Sequence, residues 1–157
     1  MLSLAQAVQI CENAVAACLT KGFAPITIVV MDPTGHPIAM QRMDDCAPAA
    51  FPKFAHAKAF TCISLGVSTR AFRDKYTIAK DPTKYCQMLG MIDVTGGQMA
   101  PFPGGVVIRA REGKVVGAVG VSGASADEDE YCALAGIEAA NLEGMFTEPV
   151  CHSLKEK

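Results

Sequence analysis

The sequence of 157 residues contains no tryptophan, and only 6% of its residues are aromatic. It also lacks a basic block, and its formal net charge is −2 at pH 7. Nucleic acid and anionic membrane surfaces attract a positive patch, so this balance argues against both partners. No apolar run approaches the roughly 18 residues that a membrane span needs. We therefore expect neither a nucleic-acid partner nor a membrane partner.

The seven cysteines are scattered, and no CxxC pair occurs among them. This excludes the usual zinc-knuckle and thioredoxin-type spacings. Most of the cysteines lie in apolar runs, where a thiol behaves as a small hydrophobic side chain. The N-terminal segment has no basic start, and polar residues interrupt its apolar stretch, unlike a secretory peptide. We expect reduced cysteines and a cytoplasmic protein.

The chain is rich in apolar residues: half of its residues are hydrophobic and only 19% are charged. Its length suits one domain. We predict a single domain over 1–157, with a core at about 4–143 and a tail at 149–157. The apolar content exceeds what a monomer's core requires, which favours a homo-oligomer that buries surface between its copies.

The periodicity predicts an α+β domain built from two hairpins and several helices. Ser3 is a candidate N-cap for the first helix, which ends at Gly22, and Ser125 with Glu128 forms a capping box for the last. Hairpins in succession favour an antiparallel sheet with helices packed on it. The predicted order is α-β-β-α-α-α-β-β-α, with helices at 3–21, 54–65, 68–75, 81–88 and 125–143, and strands at 26–31, 36–43, 106–109 and 115–121.

Several segments, in this order, resemble the GlcG/HbpS-like family, which includes haem-binding HbpS, glycolate-operon GlcG proteins and the C-terminal domain of PduO-type corrinoid adenosyltransferases. The resemblance covers about residues 4–141, and its last block is the most specific. The segments are Met-Asp-Pro-Thr-Gly at 31–35, Arg42 with Asp44, Lys-Ala-Phe-Thr at 58–61, Pro-Gly-Gly-Val-Val-Ile at 103–108, and the block at 113–123 followed by Asp129.

The resemblance implies a profilin-like fold with a five-stranded antiparallel sheet, one strand of which has no position in the predicted order. It also implies oligomers from dimers to octamers and haem binding in some members. For some haem-binding members it implies an iron ligand from a histidine on the first helix. Here the predicted first helix, at 3–21, contains no histidine.

Two glycine-rich turns are candidates for a ligand site. Gly104 and Gly105 precede a strand and allow close approach of backbone amides, and Ser122 and Gly123 lead into a helix N-terminus. No GKS or GKT follows, so neither turn is a P-loop. Two interpretations stay open: the turns bind a small ligand, or their glycines serve only tight turns and sheet packing.

Lys58 lies in an apolar helical stretch, and Asp129 is a candidate partner for it. A lysine in such a stretch either extends its ammonium to solvent or faces a pocket, where burial lowers its pKa and suits it to act as a base or anchor. Asp129 is otherwise a first-turn helix charge. Lys58 and Asp129 are the candidate catalytic residues.

Arg42 and Asp44 lie two positions apart at a strand end, so both should project from one face. An arginine there recognises a carboxylate, unless the pair is a solvated strand end. Of the histidines, His56 is the candidate for iron or another metal, while His36 lies in a turn and His152 in the tail. Met40 and Met43 could bind iron, although core or interface filling is the commoner role of methionine.

These residues favour a small-molecule-binding protein whose ligand is a tetrapyrrole, haem or corrinoid, or a small carboxylate. The pocket would lie near Lys58 and the Gly104-Gly105 and Ser122-Gly123 turns. One alternative is an enzyme acting on a small organic acid, with Lys58 as base or anchor and Arg42 holding the carboxylate. Another is an assembly protein without a ligand. No GxSxG or HExxH motif supports hydrolase chemistry.

Overall fold

The fold comes from a computed structural model that describes residues 2–110, 114–140 and, for the backbone alone, 145–147. Within these ranges the chain forms five helices and five strands. The helices are α1 (Leu4–Lys21), α2 (Phe51–Leu65), α3 (Thr69–Thr77), α4 (Pro82–Val94) and α5 (Ala126–Ala139), and the strands are β1 (Thr27–Met31), β2 (Pro37–Arg42), β3 (Gly105–Ala110), β4 (Val115–Ser122) and β5 (Met145–Thr147).

The strands form one antiparallel sheet in the order β2-β1-β4-β3-β5. Its body consists of the four longer strands, and the three residues of β5 pair with the outer side of β3. The late strand β4 lies at the centre, where Gly120 is opposite Val29 of β1 and Gly105 of β3. Strand β2 forms one edge of the sheet.

Helices cover both faces of the sheet. On one face, α1 and α5 pack against apolar side chains such as Ile28, Val30 and Val119, which form the largest core cluster. On the other face, α2 packs through Ala55 and Ala59 against the side chains of β1. Burial of these apolar surfaces is the main favourable contribution to folding.

The α+β class and the antiparallel sheet with helices packed on it are confirmed. Ser3 caps α1 in a box with Gln6, Gly22 ends α1 with a φ of 66°, and Ser125 caps α5 together with Glu128. The order of elements is matched only in part, because the strand without a predicted position is the short β5 after α5. The predicted turn at 112–113 and the tail at 149–157 lie outside the described residues, as do residues 141–143 of the predicted last helix.

Two predicted helix boundaries were wrong. Helix α2 begins at Phe51 rather than at residue 54, because Pro52 falls in the first turn, where its missing N–H costs no hydrogen bond. Helix α4 continues to Val94 rather than ending near residue 88. Gly90 in its interior lowers helix propensity without breaking the helix.

Candidate functional site

Lys58 and Asp129 meet as a buried ion pair between α2 and α5. The Lys58 Nζ lies 2.8 Å from Asp129 Oδ2 and also donates to the carbonyl oxygen of Val121 at 2.7 Å. Asp129 Oδ1 accepts from the Ala124 N–H at 3.0 Å. Both charged residues are at most 3% exposed. The pair therefore joins α2, the end of β4 and the start of α5.

Burial perturbs both groups of this pair. Loss of hydration raises the pKa of the Asp129 carboxyl to about 6, although the Lys58 ammonium acts in the opposite direction. The same desolvation lowers the pKa of the Lys58 ammonium. Perturbed groups often mark functional sites, but structural ion pairs produce the same shifts.

The Gly104-Gly105 turn closes directly over this pair. A Cβ at Gly104 would lie 2.8 Å from Lys58 Nζ and 2.7 Å from the Val121 carbonyl oxygen, and the φ of Gly104 is +122°. The Gly105 N–H donates to Thr69 Oγ1 at 2.9 Å. The close backbone approach that the glycines predicted is present, but it is made to backbone and side-chain atoms of the protein itself.

The Ser122-Gly123 turn also packs against other parts of the protein. Ser122 is 3% exposed and pairs with Thr27 of β1. Gly123 has a φ of +152°, and a Cβ there would lie 2.2 Å from the carbonyl oxygen of Pro25. These contacts account for Gly123 by packing alone, which is the second of the two interpretations of the glycine turns.

A second charged cluster beside this pair was not predicted from the sequence. Arg70 of α3 donates through Nε to Glu130 at 2.9 Å, and it also contacts Asp127. Glu130 is fully buried. The acidic first turn of α5 thus receives a lysine from α2 and an arginine from α3. The one sequence signal for this cluster is the run of four acidic residues at 127–130, which favours basic side chains nearby.

Arg42 and Asp44 lie elsewhere, in a groove of about 710 Å³ at the end of β2. Val15 and Leu19 of α1 form part of its apolar wall. Arg42 Nη1 donates to the carbonyl oxygen of Cys46 at 3.0 Å, so part of the guanidinium holds the chain that follows β2. Met43 lines the same groove and packs on the core, in agreement with a filling role.

His56 lies in a separate cleft of about 370 Å³, a volume within the range of small-molecule sites. Residues of β2, the first half of α2 and the segment after α4 line this cleft: Met40, Pro52, Lys53, His56, Ala57 and residues 97–98.

The cleft exists because α2 does not cover the edge strand β2. Met40 is paired with Val29, whose side chain packs against α2, so Met40 projects on the α2 side of the sheet. Beyond α2 nothing in the described chain buries it, and Met40 stays 52% exposed. Of the other histidines, His36 lies in the exposed β1–β2 turn with its Nδ1 2.9 Å from Thr34 Oγ1, and His152 lies outside the described residues.

The candidate residues therefore occupy three places rather than one. Lys58, Asp129, Gly104, Gly105, Ser122 and Gly123 are in or beside the buried ion pair, and none of them lines either groove. Arg42 and Asp44 line the groove at the end of β2, and His56 lines the cleft. The sequence identified Met40 and His56 separately, but their proximity depends on where α2 crosses the sheet, for which the sequence gives no local signal.

Two negative findings apply to the described part of the chain. No group of three or more histidine, cysteine or acidic side chains is arranged to hold a metal ion there. In the same ranges, no helix is both long enough and apolar enough to cross a bilayer.

Comparison with known families gives one match that spans most of the chain. Residues 2–138 match the HbpS-like family, described as haem degrading protein HbpS-like. No protein among those with curated descriptions matches.

Solved structures agree with this match. The haem complex of PduOC is similar with a TM-score of 0.77 and 24% identity, over 91% of this chain and 97% of that one. Klebsiella pneumoniae protein ORFY gives 0.75 and 24%, over 89% and 90%. A double mutant of Streptomyces reticuli HbpS gives 0.72 and 28%, over 87% and 85%.

Proposed function

Because the chain belongs to the HbpS-like family, we propose that it is a small-molecule-binding protein whose ligand is a tetrapyrrole. We place the ligand in the cleft between β2, α2 and residues 97–98, with His56 as the iron ligand. Haem-related names of the family and of PduOC support the ligand class. The observation that carries the location is that His56 and Met40 line one open cleft.

The residues of this cleft fit such a group. An imidazole is the commonest protein ligand of haem iron, and a methionine thioether is a known second ligand. Pro52 and Ala57 add apolar wall against which a flat macrocycle can pack. When bound, an iron tetrapyrrole would supply redox chemistry. The chain itself would supply an imidazole nitrogen of His56 to the iron. The wall of the cleft would exclude water from the side of the ligand that packs against it.

This location replaces the first helix as the source of the iron ligand. Helix α1 contains no histidine, so a haem site in this chain needs another imidazole. His56 is the histidine that the described structure places in a cleft, since His36 lies in an exposed turn. The site is thus built from α2 and the sheet edge.

We assign the Lys58–Asp129 pair a structural role beside this site. The Lys58 ammonium already donates to a carboxylate and a carbonyl oxygen, and the Gly104 backbone fills the space above it. The enzyme alternative, with Lys58 as base, finds no contact that favours it. We further propose that the chain is one profilin-like domain that forms a homo-oligomer in the cytoplasm, as the family resemblance and the exposed apolar side chains suggest.

Titration with ferric protoporphyrin IX tests the proposal. We expect a Soret band to develop at micromolar haem with the wild-type chain and to weaken at least tenfold in affinity in His56→Ala. His36→Ala is the matched control and should bind as the wild type does. The proposal is overturned if the wild type gives no band, or if His56→Ala and His36→Ala bind equally well.

A further inference from the structure

Lys53 is the one lysine, arginine or acidic residue on the described wall of the His56 cleft. The other side chains there are apolar, amide or imidazole, and no carboxylate lines the cleft. Lys53 is exposed, and it forms no ion pair with a residue in the described ranges. The cleft therefore offers an uncompensated positive charge.

The position of this charge relative to His56 is set by α2. Lys53 and His56 are three residues apart on one helix, so their side chains are neighbours, with Cβ atoms about 5–6 Å apart. Ala57, four residues after Lys53, lies on the same side and lines the same cleft. A ligand held at His56 would therefore lie within reach of the Lys53 ammonium.

We propose that Lys53 makes the cleft selective for ligands that carry free carboxylates on their periphery. The inference rests on the proposed function for the location of the ligand, and it adds the chemical class of the ligand's periphery. An ammonium beside an apolar wall attracts a carboxylate more strongly than it attracts a neutral ester. Lys53 is thus a specificity residue, and His56 the residue that recognises the metal.

Three probes separate these two roles: ferric protoporphyrin IX, metal-free protoporphyrin IX and the dimethyl ester of the metal-free porphyrin, followed by absorbance and porphyrin fluorescence anisotropy. We expect Lys53→Gln to weaken both free acids about five- to tenfold and to leave the ester unchanged. His56→Ala should weaken only the iron-containing probe. Lys84→Gln, which removes an exposed lysine in the first turn of α4, is the matched control.

The outcomes are distinguishable. If Lys53→Gln binds both acids as the wild type does while His56→Ala loses the iron porphyrin, the role of Lys53 is refuted and the haem site stands. If Lys53→Gln loses the acids while His56→Ala keeps the iron porphyrin, the carboxylate selectivity stands and His56 is not the ligand. Equal weakening by Lys53→Gln and Lys84→Gln would show general charge attraction and would also overturn the inference.

Discussion

At the scale of single residues, Lys58 and Asp129 show how a reactive-looking pair can be a structural one. Each has the perturbed pKa expected of a catalytic group, and each is closed off from the two grooves by its neighbours. A buried ion pair costs desolvation of both charges, which their attraction and hydrogen bonds offset. Replacing one residue of the pair should therefore destabilise the fold far more than replacing both residues together.

Lys58→Met should destabilise the fold by about 3–5 kcal/mol, because it leaves the Asp129 carboxylate buried without its cation. Adding Asp129→Asn should restore most of this loss, since the asparagine oxygen still accepts from the Ala124 N–H. Urea unfolding monitored by circular dichroism measures both variants. A double variant as unstable as the single one would contradict the structural assignment, and full wild-type stability of Lys58→Met would contradict the burial of the pair.

At the scale of elements, the contact between α2 and the sheet depends on glycine at position 120. A Cβ there would lie 2.1 Å from the Ala55 carbonyl oxygen and 2.6 Å from the Ala59 backbone nitrogen. Since backbone atoms of a helix cannot yield as a side-chain end does, α2 would have to move away from β4. The position of α2 also sets the width of the His56 cleft.

Gly120→Ala should therefore cost about 3 kcal/mol or more in unfolding free energy. Gly90→Ala is the matched control: it lies inside α4, has no atom within 4 Å of an added Cβ, and should stabilise the chain by about 0.5–1 kcal/mol through helix propensity. Chemical denaturation of the two variants gives both numbers. Similar stabilities for the two would show that α2 does not approach β4 as closely as described.

At the scale of the whole molecule, apolar side chains on α4 and at the end of α3 remain uncovered by the described chain. Val94 is 83% exposed, Ile78 72% and Leu89 47%. Of α4, Met88 is the residue that the structure buries. A helix with apolar side chains on most of its sides normally lies between other elements. We expect this surface to be buried between copies of the chain in the proposed homo-oligomer.

Light scattering should give a solution mass that is a multiple of the 16.5 kDa of one chain. Leu89→Lys should shift the mass toward that of a monomer, because it places a charge on the apolar surface of α4. Gln87→Lys, at an exposed polar position of the same helix, should leave the mass unchanged. A monomeric wild type would rule out the oligomer, and an unchanged mass in Leu89→Lys would place the contact on another surface.

Much of the fold could be predicted from the sequence because its signals are local. Capping at Ser3 and Ser125 and the glycine at position 22 each act within one turn of chain. The site could be predicted only in pieces. Met40 and His56 are brought together by the path of α2 over the sheet, and Arg70 reaches Glu130 across 60 residues of sequence. Lys58 was recognised as unusual, but its burial under Gly104 follows from tertiary packing, which no spacing encodes.

The central position of β4 has a consequence for how the protein is made. Its neighbours β1 and β3 both precede it in the chain, and Thr27 has no partner on that side until Ser122 has been synthesised. The hairpin of β1 and β2 must therefore leave the ribosome with the β4-facing edge of β1 unpaired. Most of the chain has to be synthesised before the sheet can close, so we expect the nascent N-terminal half to present an unpaired strand edge, which favours aggregation, until β4 has left the ribosome.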